Sequence, residues 1–171
     1  ISWIGIISQP GDRRDFSEIL SQLKLDKPVE LIKGGSTRQE SVYNGLAALP
    51  SQAEQVLIHD GARCLATPNL FNSCAETLDN TNGLIAAIPV KDTIKVVNEN
   101  NIIQSTPDRR HLWAAQTPQG FDVKLLKQCH QEAVSKAWEV TDEAALCEKC
   151  GIEVFIVPGV ETKLKMTTPQ D

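Results

Sequence analysis

The sequence predicts an α/β fold built on a mostly parallel sheet flanked by helices. Three observations lead there. Short runs rich in Ile, Val and Leu ("ISWIGIIS", "VELI", "VLIHD", "GLIAAIPV") have the composition of strands buried on both faces. Helical patterns separate those runs, as crossover connections between parallel strands require. Glycines and capping residues stand at the joints, most clearly in "GGSTRQESVYNGLAAL".

In order, "ISWIGIIS" opens as a strand and 15–25 reads as a helix, followed by the strand "VELI". The stretch from Gly34 to Leu49 begins with two glycines and a helix start. Thr37 with Glu40 forms a Thr-x-x-Glu capping box, and Ser36 with Gln39 is a rival register one residue earlier. A helix N-terminus behind paired glycines favours an anion such as phosphate, and it serves equally as a tight turn that holds nothing. "VLIHD" is the next strand. Thr67 to Leu78 is a helix with Pro68 at its first position, and "GLIAAIPV" returns as a strand. From Val90 to Phe121 the rhythm changes to an antiparallel excursion around the polar turn "NENN". Helices resume at 122–137 and at 141–150, the latter capped by Thr141 and ended by Gly151. "VFIVPG" and "KLKMTT" close as strands.

The 171 residues, 41 % hydrophobic and 23 % charged, suffice for one domain spanning 1–171. A net charge of −5 argues against wholesale binding to nucleic acid, so any anion site is local. No apolar run reaches membrane-span length and no signal-peptide pattern opens the chain, so no membrane is expected and the protein is expected to be soluble and cytosolic. Five cysteines without a regular framework fit reduced thiols. Cys147 and Cys150 form a CxxC at a helix C-terminus, where the dipole disfavours thiolate, and are expected to be inert.

Ligands of parallel sheets bind beyond the carboxyl ends of the strands. There "HDGARC" offers Asp60 to orient a metal or hydroxyl, Gly61 for close backbone approach and Arg63 as a fork for phosphate. "PVKDTIK" adds Asp92 and Thr93, "AQTPQ" adds Thr117 and "VTDE" adds Thr141. Lys163 and Lys165 would share one face of the closing strand. His59 reads as a strand-end packing residue. No HxxxH or HExxH spacing occurs among the three histidines, so no protein metal centre is expected. What remains is positioning and charge neutralisation of phosphates, as in phosphoryl and nucleotidyl transfer.

The blocks "GGSTRQESV", "HDGAR", "PVKDTIK", "DRRHLWAAQTPQGF", "TDEAAL" and "KMTTPQD" together resemble the 2-C-methyl-D-erythritol 4-phosphate cytidylyltransferases of the non-mevalonate isoprenoid pathway. The resemblance implies a Rossmann-like, twisted sheet flanked by helices, with the 90–121 segment as a β-arm that joins a homodimer. It implies transfer of a cytidylyl group from CTP to methylerythritol phosphate, releasing pyrophosphate, with Mg2+ on the nucleotide phosphates. Residue by residue, Gly35, Ser36 and Ser41 would bind the nucleotide together with Asp60 and Lys165. Asp60, Gly61, Arg63, Thr93, Thr117 and Thr141 would line the acceptor side. Lys165 and Arg109 would be catalytic, Lys165 neutralising the α-phosphate and Arg109 reaching the substrate phosphate of the neighbouring subunit.

Three departures accompany the resemblance. The family's glycine-rich loop, Ala-Ala-Gly-x-Gly-x-Arg, has no counterpart after Ile1, so the chain is expected to be N-terminally incomplete and inactive as it stands. Cys64 replaces a proline, and Lys163 replaces an asparagine two residues before the C-terminal lysine. A ribitol-5-phosphate cytidylyltransferase and a nucleotide-binding module without catalysis are the alternative readings. The compartment implied is the cytoplasm of a bacterium or the plastid stroma of a eukaryote.

Overall fold

Strands form where the Ile/Val/Leu runs predict them, and helices fill most of the intervals. In chain order the first elements are β1 (Ile4–Ser8), α1 (Arg13–Gln22), β2 (Val29–Lys33), α2 (Arg38–Ala48), β3 (Gln55–Ile58), α3 (Pro68–Leu78) and β4 (Gly83–Pro89). Then come β5 (Val96–Val97), β6 (Ile103–Ser105), a 3-10 turn (Arg109–His111), β7 (Trp113–Asp122), α4 (Val123–Lys136), α5 (Glu143–Lys149) and β8 (Phe155–Pro158). This computed structural model describes residues 1–161 and 165–166. The chain divides into two compact units, 1–56 with 121–153 and 57–120 with 154–171.

In the first unit β1 and β2 run parallel, with Ile6 opposite Leu31 and Ser8 opposite Lys33. The connecting helix α1 starts earlier than 15 because a turn, Asp12 N–H to the Gln9 carbonyl at 3.0 Å, leads straight into it; extended backbone at Leu23 ends it. Helix α2 packs on both strands and buries Val42 and Leu46, one turn apart. Helix α4 buries Leu126, Cys129, His130 and Ala133 on the i, i+3, i+4, i+7 stripe and packs against α2 and α5. The cap of α5 is Asp142, whose carboxylate accepts from the Ala145 N–H at 2.9 Å, and not Thr141, which lies one residue outside and is exposed. Both residue types cap well, and here the carboxylate also complements the helix dipole. Gly151, at φ +73°, ends α5 as expected, in the left-handed region that glycine adopts without strain.

In the second unit the sheet order is β3-β7-β4-β8, with β4 and β8 parallel and Leu84 opposite Phe155. Helix α3 covers it. Its Leu70, Cys74 and Leu78 close over Leu84, Ala86, Val157 and Leu57. The crossover pairings β1–β2 and β4–β8 are both parallel, in keeping with the expected α/β class.

The excursion is narrower than 90–121. Strand β7 lies between β3 and β4 in the sheet, with Gln116, Thr117, Gln119 and Phe121 buried, so only the residues up to Leu112 stand outside it. Its hairpin, β5 against β6, is antiparallel as expected and turns through Asn101 at φ +59°. Of the expected closing strand, Lys165 and Met166 are in no strand, and Lys163 lies outside the described residues.

Candidate active site

Where β3 ends, the chain reverses direction through His59 to Arg63, and the Arg63 N–H donates to the Asp60 carbonyl at 2.9 Å. The Asp60 carboxylate then meets two cations: its Oδ2 is 3.2 Å from Lys165 Nζ and 3.7 Å from Arg63 Nε. Backbone pairing brings the distant lysine here, since the Met166 N–H donates to the Ala62 carbonyl at 2.9 Å. Two positive charges around one negative leave a net positive site. Asp60 is mostly covered while Lys165 is 47 % exposed, so the ammonium can face a ligand without leaving its carboxylate. A Cβ built on Gly61 would meet nothing within 4 Å. The protein therefore does not need a glycine there for its own packing, and the bare backbone borders open space.

A second set of bonds fixes the same loop. The Asp60 N–H donates to Thr117 Oγ1 at 3.1 Å, Thr117 Oγ1 is 3.0 Å from His59 Nδ1, and His59 Nε2 is 3.2 Å from the Arg63 carbonyl oxygen. The His59 ring also packs edge-on against Phe71, with centroids 5.0 Å apart. Packing is thus only part of what His59 does. The sequence signal for the rest is a histidine immediately before the strand-end aspartate.

In the first unit the Thr37 register is the one adopted, its hydroxyl accepting from the Glu40 N–H at 3.0 Å. Glu40 reaches back past the cap and accepts from the Ser36 N–H at 2.7 Å and from the Ser36 hydroxyl. These bonds hold its carboxyl below the usual range. Gly35 is required by this arrangement, because a Cβ there would come within 2.4 Å of the Glu40 side chain. The Gly35 N–H donates to Ser41 Oγ at 3.0 Å, and that hydroxyl donates to the Thr37 carbonyl at 2.8 Å. Gly35, Ser36 and Ser41 therefore build the turn through their own mutual bonds. Beside it Arg38 Nη1 lies 3.0 Å and 2.9 Å from the two oxygens of Glu143, which is 1 % exposed. Burial raises the Glu143 pKa, and Arg38 pulls it back.

Thr93 is exposed on the excursion. Arg109, in the 3-10 turn capped by Asp108, donates to the Lys91 carbonyl of its own chain. Ile94, Val96, Val97, Ile102 and Ile103 are exposed around them. The structure thus gathers Asp60, Arg63, Thr117 and Lys165 into one cluster, with Gly61 at its border, and assembles Gly35, Ser36 and Ser41 in a turn.

A net-positive cluster at a strand end, on an α/β fold with a capped glycine turn, defines a protein of the phosphate-handling transferase class, working by positioning and charge neutralisation. The family model described as IspD: 2-C-methyl-D-erythritol 4-phosphate cytidylyltransferase matches residues 1–171. The chain belongs to that family of nucleotidyltransferases. A Nostoc punctiforme protein named 2-C-methyl-D-erythritol 4-phosphate cytidylyltransferase is 77 % identical over 171 residues, which is 100 % of this chain and 75 % of that protein. The crystal structure of 4-diphosphocytidyl-2C-methyl-D-erythritol synthase from Anaerococcus prevotii superposes with a TM-score of 0.93 at 31 % identity, covering 99 % of this chain and 78 % of that one. The Thermus thermophilus cytidylyltransferase gives 0.80 at 30 % identity over 97 % of this chain and 76 % of that one. Neither the ribitol phosphate enzyme nor a non-catalytic module is favoured by these relatives.

Proposed function

We propose that this protein transfers the cytidylyl group of CTP to 2-C-methyl-D-erythritol 4-phosphate, giving 4-diphosphocytidyl-2-C-methyl-D-erythritol and pyrophosphate. The observation that carries the reading is the Lys165–Asp60–Arg63 cluster at the end of β3, in a chain matched throughout by the family model. An oxygen of the acceptor's phosphate attacks the α-phosphorus of CTP, the bond from that phosphorus to the β-phosphate bridging oxygen breaks, and pyrophosphate leaves. Lys165, half exposed, neutralises the negative charge that builds on the α-phosphate oxygens. Asp60 holds Lys165 in place, and Arg63 and the bare backbone at Gly61 bind the acceptor phosphate.

Gly35, Ser36 and Ser41 form the nucleotide turn, and Thr93, Thr117 and Thr141 contact the acceptor. Both units serve one nucleotidyltransferase domain, a reading supported by the unbroken family match over 1–171. Among the described residues no group of three or more His, Cys, Asp or Glu side chains is placed to hold a metal. One carboxylate beside substrate phosphates nonetheless suits Mg2+, which binds through one or two carboxylates and phosphate oxygens. Asp60 is the residue that would share it, and the ion when bound supplies further charge neutralisation on the phosphates.

The exposed apolar hairpin pairs with a second copy, and Arg109 serves that copy's acceptor phosphate. No helix among the described residues is long and apolar enough to cross a membrane, and the relatives are bacterial, so a bacterial cytoplasm is the compartment proposed.

The test is to incubate the purified protein, joined to the family's glycine-rich loop ahead of Ile1, with CTP, Mg2+ and either methylerythritol 4-phosphate or ribitol 5-phosphate, following pyrophosphate release and the phosphorus NMR of the product; residues 1–171 without that loop are expected to be inert. Release with the first acceptor only is expected. Equal turnover of ribitol phosphate, or none of either, would refute the assignment.

A further inference from the structure

We propose that His59 is a positioning residue for the transfer reaction, fixing both ends of the Asp60–Arg63 loop through a single hydrogen-bonded relay; the role rests on the cytidylyl-transfer reading above. Thr117 Oγ1 accepts from the Asp60 N–H, so its one hydrogen is available for His59 Nδ1, 3.0 Å away. The Arg63 carbonyl oxygen, 3.2 Å from Nε2, can only accept, so in a neutral ring Nε2 carries the proton and Nδ1 is the acceptor that takes the Thr117 hydrogen. All three bonds run in one direction: Asp60 N–H to Thr117, Thr117 O–H to His59, His59 Nε2–H to Arg63 C=O.

Only a neutral imidazole offers an acceptor and a donor on opposite edges of a rigid ring. The contact with Phe71 holds the plane of that ring. The consequence falls on the residues that carry charge. The Asp60 backbone, and with it the carboxylate that grips Lys165, is tied to β7 through Thr117, while the backbone of Arg63 is tied to β3 through His59. The Thr117 hydroxyl is committed inward, with one lone pair left over for a ligand. Thr117 and His59 therefore act as one unit, and neither can be removed without freeing the other.

The experiment combines nitrogen NMR of the histidine rings with steady-state kinetics of His59→Phe, Thr117→Val, Thr117→Ser and the His59→Phe/Thr117→Val double variant. The expected spectrum assigns His59 the Nε2–H tautomer. Phe keeps the packing on Phe71, so His59→Phe should lower kcat about tenfold or more with both KM values within about threefold; Val keeps the shape of Thr117 and should lower kcat as far, with only the acceptor KM rising further because that hydroxyl also contacts the acceptor. Thr117→Ser should keep most of the activity. The double variant should be no worse than the weaker single by more than about threefold, because one relay is broken only once.

An Nδ1–H tautomer, a Thr117→Val enzyme with wild-type kcat, or fully multiplicative losses would overturn the role of His59 while leaving the functional reading intact. If His59→Phe does not fold, the tautomer and the Thr117 pair decide. A loop-bearing wild-type protein inert toward CTP would overturn the functional reading and this role with it. In that case hydrogen exchange at the Asp60 amide, expected to quicken at least tenfold in Thr117→Val, still decides whether the relay holds the loop.

Discussion

Replacing Arg38 by Met removes the partner of a buried carboxylate, and its cost follows from the geometry. At about 3 Å and an effective dielectric of about 20, the attraction is roughly 5 kcal/mol. Arg38 is 38 % exposed, so solvent screening and side-chain entropy reduce this, and a loss of about 3 kcal/mol near pH 8 is expected, at the low end for a broken buried pair. For a chain of this size that is a fall in Tm of about 6–12 °C. The loss depends on pH. Burial raises the Glu143 pKa above its ordinary value, so the folded state binds that proton more readily than the unfolded chain. The stability it contributes is fully present below the ordinary carboxylate pKa and is lost as pH rises through the raised value.

Removing Arg38 raises that pKa further and deepens the alkaline loss. His130 works in the same sense. Burial first, and then the charge of Arg38, depress its pKa, which removes stability as pH falls between the ordinary and the lowered value. Without Arg38 that acidic loss shrinks. The deficit of Arg38→Met should therefore be largest near pH 8 and narrow toward pH 5, read by urea unfolding with tryptophan fluorescence. Arg38→Met/Glu143→Met should lie within about 1 kcal/mol of wild type, since apolar replacement of a buried pair is often neutral. An equal deficit at both pH values, or one under about 0.5 kcal/mol at pH 8, would refute the reasoning.

Lys165→Ala should reduce kcat by roughly two orders of magnitude with little change in KM, as loss of one charge-stabilising group costs about 3 kcal/mol in the transition state; an unchanged kcat would reject Lys165 as the catalytic cation. Gly35→Ala drives a Cβ into Glu40 and should break the Glu40–Ser36 bonds, raising KM for CTP and lowering stability by about 1 kcal/mol, measured by kinetics and melting. Thiol reagents near pH 8 should label exposed Cys64 and spare Cys147 and Cys150, whose thiols burial pushes up to about 12; mass mapping that finds Cys150 labelled as fast as Cys64 contradicts this. Mixing inactive Arg109→Ala with inactive Lys165→Ala should restore about a quarter of wild-type sites on random subunit exchange, by the symmetry of a twofold dimer. Heterodimers without recovered activity would confine Arg109 to its own subunit.

Local chemistry was legible in the sequence and distant pairing was not. The Thr37 and Glu40 box, Pro68 at the start of α3, and Gly151 past α5 act within a few residues of themselves, so their patterns carry their geometry. Thr141 and Asp142 both suit a cap and the pattern alone does not choose between them; the structure gives the cap to Asp142, whose carboxylate also complements the helix dipole. The strand-end residues Asp60 and Arg63 were marked by position, yet the carboxylate that anchors Lys165 is revealed only by the Met166–Ala62 backbone pairing. Periodicity could not place β7 between β3 and β4, because register and neighbour choice in a sheet depend on partners far along the chain. Its buried run from Gln116 to Phe121 is rich in polar and glycine residues and lacks the Ile/Val signature of an inner strand.

That strand has a further consequence. β7 begins at Trp113, just past the 3-10 turn that carries Arg109, and reaches Thr117 four positions on, about 13 Å of extended backbone. The two ends of this stretch answer to different clients, one to whatever grips the Arg109 turn and the other to the Asp60 loop. A tug at that turn is thus passed toward the charged cluster along continuous strand backbone, whereas the hairpin is set apart from it by the residues between Ser105 and Trp113. Substitutions in that turn therefore have a second route to turnover, through the strand, besides any contact Arg109 makes with substrate.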